Sequence, residues 1–131
     1  MKFLKFAAAL PILACLVQPV PASAQSWPSK PLQMIVPQGA GGSTDNIARL
    51  VAQVLGERLG QSVVIDNRAG AGGLLGVAAA AKAAPDGYTL LMTVASTQTL
   101  VPALYKLPYD SIKDLAPISL VANSPTAAHQ G

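Results

Sequence analysis

The sequence contains few of the residues on which active sites and metal centres depend. Its 131 residues include one cysteine and one histidine, and charged residues make up only 11% of the chain. With His129 as the single histidine, close to the C-terminus, neither a Ser-His-Asp triad nor a metal-ligand cluster can be assembled. We therefore expect no catalytic residues, no metal and no cofactor, and the chain is not expected to be an enzyme.

The first 24 residues are typical of a secretory signal peptide. Lys2 and Lys5 precede an apolar run from Phe6 to about Leu16, and the small residues Ala22 to Ala24 follow as a cleavage site. The apolar run is shorter than the ~20 residues that span a bilayer, so we predict no transmembrane anchor. We expect export to the periplasm.

Export also changes the cysteine content and the charge. Cleavage after Ala24 removes Cys15, which leaves neither a disulfide nor a thiol nucleophile in the mature chain. Lys2 and Lys5 leave as well, so the formal net charge of +3 falls close to zero and does not indicate nucleic-acid binding. An alternative is lipoprotein processing, because residues 12–15 (ILAC) loosely resemble a lipobox with Cys15 as the lipidated residue.

Short apolar runs alternate with helical patterns along the mature chain. The predicted strands are Leu32–Val36, Ser62–Asp66 and Tyr88 to about Val94, and the predicted helices are Thr44–Leu59 and Leu74–Ala84. This order indicates an α/β fold with a parallel sheet, right-handed crossovers and helices on both faces. Prolines interrupt the pattern after Ser96, where we predict a helical turn at Ser111–Leu115 and a fourth strand at Ile118–Ala122.

The first helix has the clearest pattern. Its apolar positions are Ile47, Leu50, Val51, Val54, Leu55 and Leu59. Because these positions share one helical face, we expect that face to pack on the sheet. Ser43 or Thr44 is expected to cap the start of the helix, and Gly60 is expected to end it.

A glycine-rich loop joins the first strand to this helix. In an open parallel sheet, ligands collect at the carboxyl ends of the strands, where loops lead into helix N-termini. Gly39, Gly41 and Gly42 lie at such a place and would let an anion approach the backbone. The loop is a candidate anion cradle, and a tight turn without a ligand is the alternative. The lysine of a triphosphate-binding loop is missing before Ser43.

The second strand is also followed by a glycine-rich turn. Gly70, Gly72 and Gly76 have the spacing G-x-G-x-x-x-G, which raises the alternative of an exported dinucleotide-binding enzyme domain. No acidic residue follows about 20 positions later to hold a ribose, which argues against it. Arg68 could pair with an anionic ligand or with Asp66.

Four motifs together resemble a known family. GGSTD opens the first helix, NRAGAGG follows the second strand, AAPDGYTLL leads into the third, and LPYDSIKDLAPISLVA comes after it. In combination, from about Trp27 to Pro125, they resemble the N-terminal part of the substrate-binding receptors of tripartite tricarboxylate transporters, the Bug-type proteins.

The resemblance implies a two-lobe periplasmic receptor with a ligand cleft between its α/β lobes. Residues 25–131 would form the first lobe, and the second lobe would be absent from this chain. The resemblance further implies that a monomer captures a small organic carboxylate and delivers it to membrane transporter subunits, with no role for nucleic acid. A truncated copy that has no independent function is a further alternative.

The resemblance also implies a set of ligand contacts in the first lobe. By position these are Gln38, Gly39, Ala40, Gly41, Gly42, Ser43, Asp45, Ser96 and Thr97. Backbone amides and ordered waters would hold the ligand carboxylate. Asp45 is expected to order the loop rather than touch an anion, because like charges repel. Gln38 departs from the family pattern of an aromatic or small apolar residue after the proline, and it could alter the pocket wall or add a side-chain donor.

Overall fold

The computed structural model describes residues 26–123, which form one α/β unit. Its elements are β1 (Leu32–Val36), α1 (Ser43–Leu59), β2 (Val63–Asn67), α2 (Leu74–Ala81), β3 (Thr89–Leu91) and α3 (Ala95–Leu104). A single 3₁₀ turn, Ala71–Gly73, precedes α2. The predictions for the signal peptide, Cys15 and His129 lie outside the described residues.

The three strands form a parallel sheet in the order β2-β1-β3. β1 is the central strand, and its last residue, Val36, is in register with Asn67 at the end of β2. The ladder is extended by Arg68, whose N–H donates to the Val36 carbonyl at 2.9 Å, and by Met92, whose N–H donates to the Ile35 carbonyl at 2.9 Å. All three strands therefore present their carboxyl ends, and the loops that follow, at one edge of the sheet.

The helices cover both faces of the sheet, as the sequence predicts. α1 packs against β1 and β2, whereas α2 packs against β1 and β3. Crossovers between parallel strands are right-handed as a rule, and these two run in opposite directions across the sheet, so α1 and α2 lie on opposite faces. β1 is accordingly buried on both sides, and Met34, Val36 and Ala48 form the core under α1. None of the helices within residues 26–123 has the length and apolar character of a membrane span.

The buried face of α1 differs from the predicted one. Asp45, Ala48 and Ala52 are its buried residues, whereas Leu50 is 66% exposed and Val54 is 52% exposed. The small alanines let the helix axis approach the sheet closely, and this turns the larger apolar side chains partly outward. The end of the helix is as predicted: Gly60 has φ +67° and its N–H donates to the Gly56 carbonyl at 2.9 Å.

The segment after β3 also departs from prediction. α3 forms where no helix is predicted, and it contains Pro102 close to its end. The predicted helical turn is seen at residues 111–113, where the Asp114 N–H donates to the Asp110 carbonyl at 2.9 Å. The predicted fourth strand at Ile118–Ala122 is wrong, because this segment has no regular secondary structure. Ile118 and Leu120 are each 83% exposed, so these apolar side chains are not buried against the other described residues.

Candidate functional site

Three helices begin at the carboxyl edge of the sheet. The residues that precede them are Gly42 before α1, Gly73 before α2 and Val94 before α3, and none of the three makes a side-chain capping bond. The first N–H groups of a helix have no carbonyl partner one turn earlier and carry the positive end of its dipole. At α2 the Leu74 N–H donates to the Ala71 carbonyl, and at α3 the Thr97 N–H donates to the Val94 carbonyl at 3.1 Å. This edge of the sheet therefore offers backbone donors to an acceptor chiefly at the start of α1.

The capping prediction for α1 is wrong, and the difference affects the site. Ser43 and Thr44 lie inside the helix, and the N-cap position belongs to Gly42, with φ −76° and ψ 170°. Because glycine has no side-chain oxygen, it does not engage the first-turn amides. The N–H groups at the start of α1 therefore lack the side-chain acceptor that a serine or threonine at the N-cap position would supply.

Asp45 is a buried carboxylate that ties the β1–α1 loop together. Its side chain is 2% exposed. Oδ2 accepts hydrogen bonds from the Gly41 N–H at 2.8 Å and from Arg49 Nε at 2.9 Å, and Oδ1 accepts one from Asn67 Nδ2 at 2.9 Å. The predicted ordering role through a backbone N–H is seen in the bond from Gly41. Both carboxylate oxygens accept hydrogen bonds from the protein, so Asp45 holds the loop in place from its buried side.

Asn67 and Arg49 are two members of this network that the sequence reasoning missed. Asn67 ends β2, and its Nδ2 also donates to the Gln38 carbonyl at 3.2 Å, which links the neighbouring loop to the sheet. Arg49 lies four residues after Asp45 on α1, a spacing that favours an ion pair and could have been found. Asn67 carries no such local signal, because its contact depends on the register of β2 against β1.

The network lowers the pKa of Asp45 from 3.8 to about 2. The hydrogen bond from Arg49 contributes most, followed by those from the Gly41 N–H and Asn67. Because hydrogen bonds to the ionised form outweigh the desolvation that opposes them, the folded loop favours the carboxylate over the carboxylic acid.

We expect this shift to appear as an acid-dependent loss of stability. The folded pKa lies below the unfolded one, so the stabilisation is complete above about pH 4 and disappears as the pH falls through about 2. Thermal unfolding of wild type and Asp45→Asn should therefore give midpoints that converge over this interval. Asp110 also has a lowered pKa, from hydrogen bonds donated by Ile112 and Lys113, but it titrates in both proteins. A constant difference between the two midpoints would contradict the role of Asp45.

Gln38 bridges the first and third loops. Its Nε2 donates to Thr97 Oγ1 at 3.4 Å, and Thr97 Oγ1 donates to the Gly72 carbonyl at 3.5 Å. Gln38 Oε1 is buried and has no hydrogen-bond partner among residues 26–123. The side chain therefore spans from the end of the central strand to the first turn of α3.

The other predicted site residues of the β1–α1 loop are exposed: they are Gly39, Ala40, Gly41, Gly42 and Ser43. Of the two predicted residues in α3, Ser96 is exposed and Thr97 is buried. A Cβ at Gly39 or Gly41 would meet no atom within 4 Å, so the space above the loop is unobstructed by the described residues. Gly41 has φ +83°, a conformation that glycine adopts without strain.

The turn from Gly70 to Gly76 is filled by the protein itself. A Cβ at Gly72 would lie 3.7 Å from Val101 of α3, and one at Gly70 would lie 2.6 Å from Leu75. The glycines of this turn thus face the chain's own side chains rather than open space, and the dinucleotide alternative gains no support. Arg68 Nε donates to Asp66 Oδ2 at 2.7 Å. Of the two partners predicted for Arg68, an anionic ligand or Asp66, the structure shows Asp66.

A separate open groove of about 670 Å³ runs between α1 and β2. Its lining includes Arg49, Gln53, Glu57, Ser62 and Val63. It extends toward the start of β2, at the opposite end of the strand from the glycine loops. None of the predicted ligand contacts lines it.

Comparison with known proteins identifies the family. The family described as "Tripartite tricarboxylate transporter family receptor" matches residues 47–128, more than half of the chain. The chain belongs to this receptor family. Protein BugT of Bordetella pertussis is 49% identical over 107 residues, which are 80% of this chain and 33% of BugT.

Two solved structures of similar proteins share the fold. MatC of Rhodopseudomonas palustris with bound malate is 39% identical, with a TM-score of 0.68 over 72% of this chain and 32% of MatC. A protein described as a periplasmic transporter is 52% identical, with a TM-score of 0.64 over 66% of this chain and 30% of that protein. The chain thus spans about a third of the length of the relatives it matches.

Proposed function

We propose that this chain is the first lobe of a periplasmic receptor that captures a small organic carboxylate and delivers it to a tripartite tricarboxylate-type membrane transporter. Family membership supports this function, and so does the malate bound by MatC. The observation that carries it is the start of α1, where Gly42 takes the N-cap position without a capping side chain. First-turn amides left in this way suit a carboxylate.

In the proposed complex, the ligand carboxylate accepts hydrogen bonds from backbone N–H groups at the start of α1. The loop from Gln38 to Ser43, which is exposed from Gly39 onward, surrounds the carboxylate, and Ser96 and Thr97 lie in the first turn of α3 nearby. Asp45 contributes indirectly, because its carboxylate receives the Gly41 N–H and holds the loop in shape. Reversible, non-covalent ligand binding suits this site. We propose that the receptor is a monomer with no enzymatic activity, no metal and no cofactor.

We further propose that residues 1–24 are a signal peptide and that residues 25–131 form one lobe of two. Exposed apolar side chains support the proposal that a further part of the receptor packs on this lobe: Ile112 is 85% exposed, and Ile118 and Leu120 are similarly exposed. Large exposed apolar groups that cluster in one segment usually mark an interface. Sequencing the gene beyond codon 131 tests this division. Further strand and helix patterns in the same frame are expected, and an immediate stop codon would contradict a functional two-lobe receptor.

The carboxylate function itself is tested by a thermal-shift screen of the complete gene product. A ligand that binds only the native state at 100 times its Kd stabilises it by about 2.7 kcal/mol, which raises Tm by roughly 5 °C or more. We expect such a rise with small di- or tricarboxylates and none with NAD. A rise with NAD and none with any carboxylate would instead favour a dinucleotide site.

A further inference from the structure

The amide of Gln38 is oriented by the two groups that follow it in a hydrogen-bond chain. The Thr97 hydroxyl donates its only proton to the Gly72 carbonyl, so its oxygen faces Gln38 as an acceptor. Gln38 must then present Nε2 to Thr97, which turns Oε1 away from the chain. The backbone of Gln38 is held as well, because its carbonyl accepts from Asn67 Nδ2.

The consequence is a buried acceptor without a donor in residues 26–123. A buried oxygen left unpaired is unfavourable, so we expect a small shift of the Gln38 side chain to bring this oxygen to a donor from outside this set of residues. Gln38 opens the loop that leads to α1, and its side chain reaches the first turn of α3. The acceptor therefore belongs to the same edge of the sheet as the uncapped helix starts.

A carboxylate has no proton to offer this oxygen. We propose that Gln38 selects hydroxycarboxylates, with the ligand carboxylate at the start of α1 and a ligand hydroxyl donating to Gln38 Oε1. This inference rests on the proposed carboxylate function and narrows its ligand class. A hydroxyl fits better than an ammonium group, because the three loops that follow the strands contain no acidic residue, and Asp45 in the first turn of α1 has both of its oxygens occupied.

Calorimetric titration of the complete gene product with malate and succinate tests the proposal, because the two differ only in a hydroxyl. We expect malate to bind about tenfold more tightly. In Gln38→Met, which keeps the length of the side chain and removes the acceptor, the two affinities should become equal. Gln33→Met is the matched control: it removes another β1-region amide, one that donates to Asp66, and should leave the preference unchanged.

Two further variants keep the test informative if Gln38→Met fails to fold. Thr97→Val removes the hydroxyl that orients the amide and should reduce the preference for malate, whereas Thr97→Ser should retain it. Equal binding of malate and succinate by wild type would overturn the inference alone, as would an unchanged preference in Gln38→Met. Tighter binding of aspartate than of malate would replace the hydroxyl by an ammonium donor and also overturn it. Binding of no carboxylate at all would overturn the proposed function as well.

Discussion

Gly76→Ala should lower the free energy of unfolding by about 3 kcal/mol, the upper part of the usual range for overpacking. A Cβ at this position would lie 2.6 Å from Pro37 Cβ, 2.7 Å from Pro37 Cα and 2.9 Å from the Arg68 carbonyl oxygen. These atoms end β1 and begin the β2–α2 turn, so they cannot move without disturbing the sheet. The new methyl group must therefore push α2 away from the central strand.

Urea unfolding followed by circular dichroism measures this loss. Gly39→Ala is the matched control, because its Cβ would meet no atom within 4 Å and Gly39 is not among the positive-φ residues. We expect the control to change stability by less than about 0.5 kcal/mol. Equal stability of Gly76→Ala and Gly39→Ala would show that α2 does not pack against β1 as described.

Gly42→Asp should strongly weaken carboxylate binding while leaving the protein as stable as wild type or more so. Aspartate is among the most favourable N-cap residues, and its charge interacts well with the helix dipole, so a gain of up to about 1 kcal/mol is expected. The space permits it, since a Cβ on Gly42 would lie 3.5 Å from the Gly39 carbonyl oxygen, an ordinary contact. The new carboxylate would occupy the amides that the ligand needs and repel it.

Affinity for malate should fall by on the order of 100-fold or more in Gly42→Asp, equivalent to about 2.7 kcal/mol. Gly42→Asn separates the two causes, because it offers a capping oxygen without a charge and should lose less affinity. Opposite changes in stability and affinity distinguish occupation of the site from damage to the fold. Wild-type affinity in Gly42→Asp would place the carboxylate away from the start of α1.

Local patterns in the sequence predicted much of the fold. β1 has its predicted bounds, and α1 begins one residue earlier than predicted. Both depend on nearest-neighbour chemistry: a short apolar run ended by Pro37, and a helical periodicity ended by Gly60. β2 is shifted by one residue, α2 ends three residues earlier than predicted, and β3 is shorter than predicted at both ends. Pairing with β1 decides the bounds of the two strands.

The misses have a common physical origin in tertiary packing. Leu50 and Val54 fit the apolar periodicity of α1, yet the alanines beneath them bring the helix close to the sheet and set its rotation. α3 contains Pro102 and several Ser and Thr residues, so its propensity is weak. It forms where Thr97 and Val101 pack against the Gly72–Gly73 turn. Neither arrangement can be deduced from the spacing of one segment.

In the candidate site too, local features could be predicted from the sequence, whereas contacts between distant residues could not. The glycines of the β1–α1 loop and the acidic residue behind them were visible in the sequence. The bond from Asn67 to Asp45 joins residues 22 positions apart, and the bond from Gln38 to Thr97 joins residues 59 positions apart. Both contacts require the strand order β2-β1-β3, which brings the three loops to one edge.

The central claim is that backbone amides at the start of α1 hold a carboxylate. Amide-resolved NMR of the ¹⁵N-labelled complete gene product during titration with malate tests it most directly. We predict that the largest shifts fall on the N–H groups of Gly42, Ser43 and Thr44, with smaller ones near Thr97. Shifts confined to Gln53, Glu57 and Val63 would place the ligand in the groove between α1 and β2 and contradict the account.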